Sequence, residues 1–131
     1  MKIEQKMTLQ EAINTDNLEA VDALLKDNPT LVNRTDSRGF TPLILATYME
    51  KENITRLLLQ HNADVNGQDD NGNTALMGVS FKGQLRFAQI LINAGANVHL
   101  KNKAGDTALS FARRYGQDEM ASMLIENGAK E

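Results

Sequence analysis

The sequence contains no cysteine, which excludes disulfide bonds, cysteine-based zinc sites and thiol chemistry together. Long apolar runs are also missing, since no stretch approaches the roughly 18 residues that a membrane-spanning helix needs. Positive charge is not in excess, because 14 Lys and Arg stand against 17 Asp and Glu for a net charge of −3. The cations are scattered along the chain, so the sequence lacks the basic footprint of a nucleic-acid-binding protein. We therefore expect neither a membrane nor a nucleic acid as partner.

A signal for export is missing as well. The N-terminal stretch MKIEQKMTLQE lacks the apolar core, roughly 7–15 residues long, of a signal peptide. Taken as it stands, the sequence predicts a cytoplasmic protein, and a periplasmic or secreted location stays open if a leader has been removed ahead of Met1. Hydrophobic residues make up 41% of the chain and charged residues 24%, close to the average of globular proteins, which favours a folded domain.

Motifs for catalysis and metal binding are lacking too. His61 and His99 are the two histidines, and neither has a carboxylate or hydroxyl partner at a spacing typical of a catalytic site. Asp64, Asp69 and Asp70 crowd one loop, but they lack the pattern of a calcium loop, and turn formation explains them better. No glycine-rich phosphate loop, G-x-S-x-G or H-E-x-x-H motif occurs. We therefore expect no enzymatic activity, no cofactor and no metal.

What the sequence does contain is a unit that repeats every 33 residues. The stretch DSRGFTPLILA, at 36–46, returns in altered form at 69–79 and at 102–112. A fixed period of this length is the signature of a repeat architecture. The positions in register are Asp36, Asp69 and Asn102; Gly39, Gly72 and Gly105; Thr41, Thr74 and Thr107; and Leu43, Leu76 and Leu109.

Each unit is predicted to form a turn, a short helix, a second turn and a second helix. Asp or Asn followed by Gly favours a tight turn, Thr suits a helix N-cap, and Pro42 fits the first helical position. Apolar residues at i, i+3 spacing then predict a helix with one apolar face. Residues expected to end the helices in the left-handed conformation are Asp16, Gly83 and Gly116, and, after the second helices, Asn28, Asn62, Gly95 and Gly128.

A unit reading D-x-x-G-x-T-[PA]-L, followed by G and by G-A-[DN]-V, resembles the ankyrin repeat over about residues 7–130. The resemblance implies an all-α fold, an ankyrin-repeat solenoid of helix-turn-helix units with short β-turn fingers. Because both outer units have polar sides, we expect a complete, monomeric solenoid of four repeats including both caps, in one domain. The expected boundaries are about 7–35, 36–68, 69–101 and 102–131 within the domain 1–131, with residues 1–6 as an N-terminal extension.

Two places depart from the repeat pattern. Glu50-Lys51-Glu52 replaces the glycine that ends the first helix elsewhere, and this predicts either a longer helix or a looser turn. Gly78 interrupts an otherwise favourable helix, as a weak joint in the stack or as a place where another molecule approaches the backbone closely. Sequence drift is the favoured explanation at Glu50, and the weak joint is favoured at Gly78.

In the ankyrin family, partners usually contact a concave face made by the turn tips and the ends of the first helices. This is an implication of the resemblance rather than of composition. Carried onto this chain, the expected partner-binding residues are Arg38, Phe40, Tyr48, Met49, Asp70, Asn71, Asn73, Phe81, Lys82, Lys103, Asp106, Arg114 and Tyr115.

Four of the six aromatic residues fall on this face, whereas Phe87 and Phe111 are assigned to the core. Aromatic side chains, Met and Arg are enriched at protein interfaces. Stacked repeats would place Tyr48, Phe81 and Tyr115 in a row, about 10 Å apart. The alternative is that these rings pack against one another and stiffen the stack.

The predicted function is recognition of a folded protein partner through the concave face, which would inhibit, sequester or protect that partner. A small scaffold or adaptor is the alternative. A nucleic-acid binder would have to use the basic residues of the C-terminal part, Lys101, Lys103, Arg113 and Arg114, and an enzyme would need a pocket with perturbed carboxylates. The first-repeat motif N-P-x-L-V-N is similar to that of small stand-alone ankyrin proteins of bacteria.

Overall fold

The computed structural model describes residues 7–131, and the N-terminal extension expected at residues 1–6 lies outside the described residues. Within the described part the chain forms α-helices and one 3₁₀ helix and no β-strand, which confirms the all-α class and the helix-turn-helix units. The elements are α1 Leu9–Asn14, α2 Leu18–Asp27, a 3₁₀ helix Pro29–Asn33, α3 Pro42–Tyr48, α4 Glu52–Gln60, α5 Ala75–Lys82, α6 Leu85–Asn93, α7 Ala108–Arg114 and α8 Asp118–Glu126.

The first helix of every pair begins at a threonine N-cap, at Thr8, Thr41, Thr74 and Thr107. Each hydroxyl accepts a hydrogen bond from the N–H three residues further on, at 3.1 or 3.2 Å. An N-cap of this kind satisfies a backbone donor that the helix leaves unpaired. The regular spacing of threonine therefore sets where the four first helices α1, α3, α5 and α7 start.

Turn tips precede α3, α5 and α7 and repeat one hydrogen-bonding pattern. The Asp36 carboxylate accepts hydrogen bonds from the backbone N–H groups of Arg38 and Phe40, at 2.9 and 3.0 Å. Asp69 and Asn102 accept the same pair of bonds in their turns, at 2.9 to 3.0 Å. A glycine with positive φ completes each tip, with values of 83°, 80° and 87°. The expected β-turn fingers are confirmed.

Left-handed residues end the helices as expected, with one exception. Asp16, Gly83 and Gly116 have φ of 56°, 74° and 69°, and Asn62, Gly95 and Gly128 have φ of 66°, 95° and 100°. The assignment of Asn28 is wrong, because its φ is −139°. A 3₁₀ helix, Pro29–Asn33, follows Asn28 directly and takes the place of the left-handed turn.

Both expectations for Glu50 are wrong. Helix α3 ends at Tyr48 and is no longer than α5 or α7. The turn is as tight as the one after α5, because the Lys51 N–H donates to the Ala46 carbonyl at 2.9 Å, as Gln84 does to Val79. Glu50 takes the left-handed conformation itself, with φ of 57°. The turn keeps its shape because the following helix must still pack against α3, and Glu50 bears the strain.

The core runs through the whole stack. Helices α3, α5 and α7 pack side by side, and each also packs against its own partner, α4, α6 or α8. Fully buried side chains alternate between the two helix rows, among them Ile13, Leu25, Leu43, Ile54, Leu58, Leu76, Leu91, Met120 and Leu124. The assignment of Phe111 to the core is wrong, because its ring is only partly buried and lines a surface groove. Phe87 is in the core, as expected.

Candidate functional site

A groove of about 630 Å³ lies where the first helices meet the turn tips, centred on α3 and α5. Six of the residues expected to bind a partner line it: Arg38, Phe40, Tyr48, Met49, Asn73 and Phe81. Its lining is therefore rich in aromatic and other apolar side chains, as in pockets that bind ligands or partner side chains.

Eight further lining residues are not among the thirteen expected partner-binding residues: Asn14, Ile44, Leu45, Asp69, Thr74, Met77, Gly78 and Phe111. The signal that could have found some of them is the period itself. Leu45, Gly78 and Phe111 occupy the same position of three successive repeats, 33 residues apart. Residues that share a register position and a surface form a row in a stacked solenoid.

The other seven expected contact residues do not line the groove, and four of them brace its edges. The Lys82 ammonium donates to the Tyr48 carbonyl at 2.9 Å. Arg114 pairs with Asp106 at 2.6 Å. Tyr115 packs against the ring of Phe81.

Asp70, Asn71 and Lys103 lie at the turn tips and tie successive tips together. The Lys103 backbone N–H donates to the Asn71 carbonyl at 2.9 Å. The Asp70 carboxyl group covers Gly39, which leaves no room there for a side chain. The structure thus gives these three residues a role in holding the tips in line.

Three exposed rings stand beside one another on this face, but not in the regular row that the sequence predicted. Tyr48 is 67% exposed, Phe81 44% and Tyr115 49%. The Phe81 and Tyr115 rings meet edge to face with centroids 4.6 Å apart, so the expected spacing of about 10 Å is wrong for this pair. The reason is register: the position equivalent to Phe81 is 114, and Tyr115 stands one residue further on. Phe81 and Tyr115 therefore pack against each other, and all three rings remain accessible.

Three of the four aromatic rings that line the groove, all but Phe81, have a cation near the ring face, which is a favourable arrangement. The cation-to-centroid distances are 5.0 Å for Arg38 over Phe40, 4.7 Å for Lys82 over Tyr48 and 5.5 Å for Arg114 over Phe111.

Each of these cations also has a carboxylate partner in the chain. Arg38 lies 2.8 Å from Asp36, and Lys82 lies 3.6 Å from Glu50. Partial burial raises the pKa of the Asp36 carboxyl, but the hydrogen bonds from the Arg38 side chain and from two backbone N–H groups outweigh it, and the pKa is lowered. The hydrogen bond to Asp106, followed by the charge of that carboxylate, raises the pKa of Arg114. The groove edge is therefore close to neutral, since its cations are matched by the chain's own acids.

A second titratable pair lies away from the groove, between α2 and α4. His61 Nε2 is 2.8 Å from Asp22 Oδ1, a partner 39 residues earlier that the sequence gave no reason to pair. Asp22 also binds Lys26 at 2.8 Å. Hydrogen bonds from Lys26 and then from His61 lower the pKa of Asp22. The pair links the first two repeats through α2 and the C-terminal end of α4.

The rest of residues 7–131 bears on three other classes of partner: a metal ion, a membrane and a nucleic acid. No three acidic or histidine side chains of this part converge as metal ligands would. None of its helices is long and apolar enough to cross a membrane. The basic residues near the C-terminal end are partly neutralised, because Arg113 pairs with Glu131 and Arg114 with Asp106.

Comparison with known proteins agrees with the architecture. A family model described as ankyrin repeats (3 copies) matches residues 2–69 and 62–131, which together cover almost the whole chain. A comparison with curated proteins finds no match. Ankyrin repeats are in general modules that bind other proteins, and they are typically not enzymes. Matched over nearly its full length and built of stacked helix pairs with turn fingers, the chain belongs to the ankyrin repeat family.

Proposed function

We propose that the protein binds a folded protein partner through its concave face and acts by covering part of that partner, which inhibits, sequesters or protects it. The observation that carries the proposal is the apolar groove between the turn tips and α3 and α5, with Tyr48, Phe81 and Tyr115 exposed along it. Large accessible rings on a rigid scaffold can be buried by a partner with little loss of conformational freedom. The contact residues are those expected from the sequence, extended by the groove lining.

In this proposal the protein acts as a monomer in the cytoplasm. It forms one domain, whose four repeats run about 7–35, 36–68, 69–101 and 102–131. Such a molecule presents one concave face and therefore one partner site. Binding is the whole activity, without catalysis. The self-paired cations Arg113 and Arg114 argue against a nucleic acid, because phosphate binding relies on cations that are free to contact it.

The test is capture of a partner from the extract of the native source, identified by mass spectrometry. The test variant replaces Phe40, Tyr48, Phe81 and Tyr115 by Ala, and circular dichroism checks that it stays folded. We expect the natural chain to capture a protein and the variant to lose at least about tenfold in affinity, since truncated hot-spot residues contribute more than 1.4 kcal/mol together.

The matched control truncates exposed apolar side chains elsewhere, Leu18 and Ile125, which are 38% and 43% exposed and do not line the groove. This double variant is expected to capture the same protein as the natural chain. If the variant with four alanines does not fold, the single variant Tyr48→Ala, which removes the most exposed ring, replaces it in the test. Equal capture by the natural chain and by both groove variants would show that the concave face is not the binding surface.

A further inference from the structure

Gly78 stands at a place where neither the backbone nor the packing requires glycine. It lies inside α5, and it is not among the residues with positive φ. Apart from its chain neighbours and the backbone of its own helix, a Cβ atom added there would meet no atom within 4 Å. Glycine is among the least favourable residues in a helix interior. A feature that weakens the helix and is not needed for its shape calls for another explanation.

The explanation lies in the row to which Gly78 belongs. The equivalent residue of the preceding repeat is Leu45 and that of the following repeat is Phe111, and all three line the groove. Helix α5 packs between α3 and α7, so the missing side chain leaves a notch with Leu45 on one side and Phe111 on the other. The notch is open to the exterior, because Gly78 is exposed.

The charges around the notch already have partners. Arg38 and Asp69 are the charged residues that line the groove. Arg38 binds Asp36 at 2.8 Å, and Arg114, which lies over the Phe111 ring, binds Asp106 at 2.6 Å. Asp69 accepts two backbone N–H groups of its own turn at 2.9 Å through one carboxylate oxygen. A charged occupant would have to break such a pair or be desolvated without one, which is unfavourable. The occupant that fits is bulky, apolar and uncharged.

We propose that the notch at Gly78 accepts one bulky apolar side chain, Leu, Met, Phe or Trp, from a partner segment that has no charged residue beside it. This inference rests on the proposed function and names the chemistry of the partner at its centre. A protein segment fits better than a free small molecule, because the notch is one part of a longer groove that the neighbouring residues of a segment would fill.

The probes are blocked tripeptides, titrated into ¹⁵N-labelled protein and followed by the NMR shifts of the Gly78 and Phe111 amides. We expect acetyl-Ala-Trp-Ala-amide and acetyl-Ala-Leu-Ala-amide to shift both signals and to saturate in about the millimolar range, as a single side chain with little other contact should. Acetyl-Ala-Asp-Ala-amide and acetyl-Ala-Lys-Ala-amide should bind at least about tenfold more weakly. Raising NaCl from about 0.05 M to about 0.5 M should change the affinity for the apolar peptides less than twofold, because no ion pair is involved.

The decisive variant is Gly78→Leu, which fills the notch with the residue type that the preceding repeat has there. Leucine favours the helix, so the variant should fold. It is expected to bind the apolar peptides at least about tenfold more weakly. The matched control, Ser122→Leu, adds the same side chain at an exposed position of α8 and should bind as the natural chain does.

Two results with the peptides would contradict the proposed binding at the notch: equal binding by Gly78→Leu and the natural chain, and equal shifts with the charged and the apolar peptides. Two others would contradict a protein segment as the occupant: tighter binding of free indole than of the tryptophan peptide, and a Gly78 shift that changes with protein concentration alone. Free indole would identify a small-molecule pocket, and the concentration dependence would identify a second copy of the chain. Partner capture separates this inference from the proposed function. A partner lost by the fourfold alanine variant but kept by Gly78→Leu contradicts the notch alone, whereas a partner kept by both contradicts the proposed function.

Discussion

At the scale of single residues, the turn that closes each first helix requires one residue with a left-handed backbone. Gly83 and Gly116 adopt it without a steric penalty, while Asp16 and Glu50 adopt it with a side chain. Asp tolerates this conformation better than most residues, because its short polar side chain can bond locally. Among these four turns, the left-handed conformation is therefore least favourable at Glu50.

Replacing Glu50 by Gly should therefore stabilise the protein by about 1 kcal/mol, because the steric penalty of φ 57° disappears. The lost ion pair with Lys82 counts for little, because it is long at 3.6 Å and Glu50 is largely exposed. Urea unfolding followed by circular dichroism measures the change.

The opposite change, Gly83→Ala, is the control and should destabilise by at least about 1 kcal/mol. A Cβ at Gly83 would overlap the Gln117 side chain, whose amide donates to the Phe81 carbonyl at 3.0 Å. A Glu50→Gly variant no more stable than the natural chain would show that the strain at this turn is negligible.

Local chemistry explains why the residue scale could be predicted well and where it could not. Thr41 and Gly72 act through their own neighbours, so their spacing along the chain was sufficient to place the caps and the tips. Glu50 was misjudged because the expectation considered the helix alone. The bond from Lys51 to Ala46 and the packing of α4 against α3 hold the turn regardless of which residue occupies it.

At the scale of the helices, the first row has two kinds of surface that one apolar stripe cannot describe. Each of α3, α5 and α7 is covered on one side by its own second helix, and first-row neighbours flank α3 and α5 on two further sides and α7 on one. The i, i+3 pattern predicted the fully buried side, including Leu109 and Ala112. It could not separate core from groove for Phe111, because that position faces the neighbouring helix and the exterior together. The groove therefore forms only when repeats stack, and the sequence of a single repeat does not predict it.

A substitution in helix α5 tests how much Gly78 lowers the free energy of unfolding. Gly78→Ala should raise the free energy of unfolding by about 1 kcal/mol, because alanine favours the helix and its methyl group meets no neighbour. The midpoint of thermal unfolding should rise by about 4 °C. As a control, Gly72→Ala should destabilise, since φ is 80° there and a Cβ would press on the backbone of Asn102 and Lys103 at 3.0 Å. A Gly78→Ala variant less stable than the natural chain would mean that glycine serves the fold at this position.

At the scale of the whole molecule, side chains from one repeat bind the backbone or side chains of the next. Asn33 accepts the N–H of Asp64 at 2.8 Å, and Asn66 accepts that of Asn97 at 2.7 Å. These links recur at the 33-residue period and join neighbours only, as expected of a solenoid whose stability is a sum over repeats and their interfaces. Charged links belong to the same set, since Glu52 of α4 binds Arg86 of α6 at 3.0 Å.

Several of these links use carboxylates. The stability of the stack should therefore decrease at acid pH. Hydrogen bonds from Arg86 lower the pKa of Glu52 below its ordinary 4.5, and bonds from Lys26 and then His61 lower that of Asp22 below 3.8. The pKa of Asp36 is lowered as well, where the Arg38 and backbone bonds outweigh partial burial. A carboxyl group whose pKa is lower in the folded state binds its proton less readily there than in the unfolded chain. Its stabilisation is therefore complete above the unfolded value and is lost as the pH falls through the folded one.

We expect the free energy of unfolding to change little through these groups from about pH 7 to about pH 5 and to fall steadily below about pH 4.5, as measured by urea unfolding at each pH. The variant Asp36→Asn isolates one contribution. Asparagine can keep the turn, because Asn102 accepts the same two backbone N–H groups in the last repeat, at 3.0 and 2.9 Å. It cannot gain or lose a proton, so the fall in acid should be shallower in this variant than in the natural chain. An identical acid dependence in both chains would show that Asp36 titrates alike in the folded and unfolded states and that its bond to Arg38 does not stabilise the first finger. A shallower one would show that the charge of Asp36, which accepts bonds from the Arg38 side chain and from two backbone N–H groups, stabilises the folded turn tip at the edge of the groove.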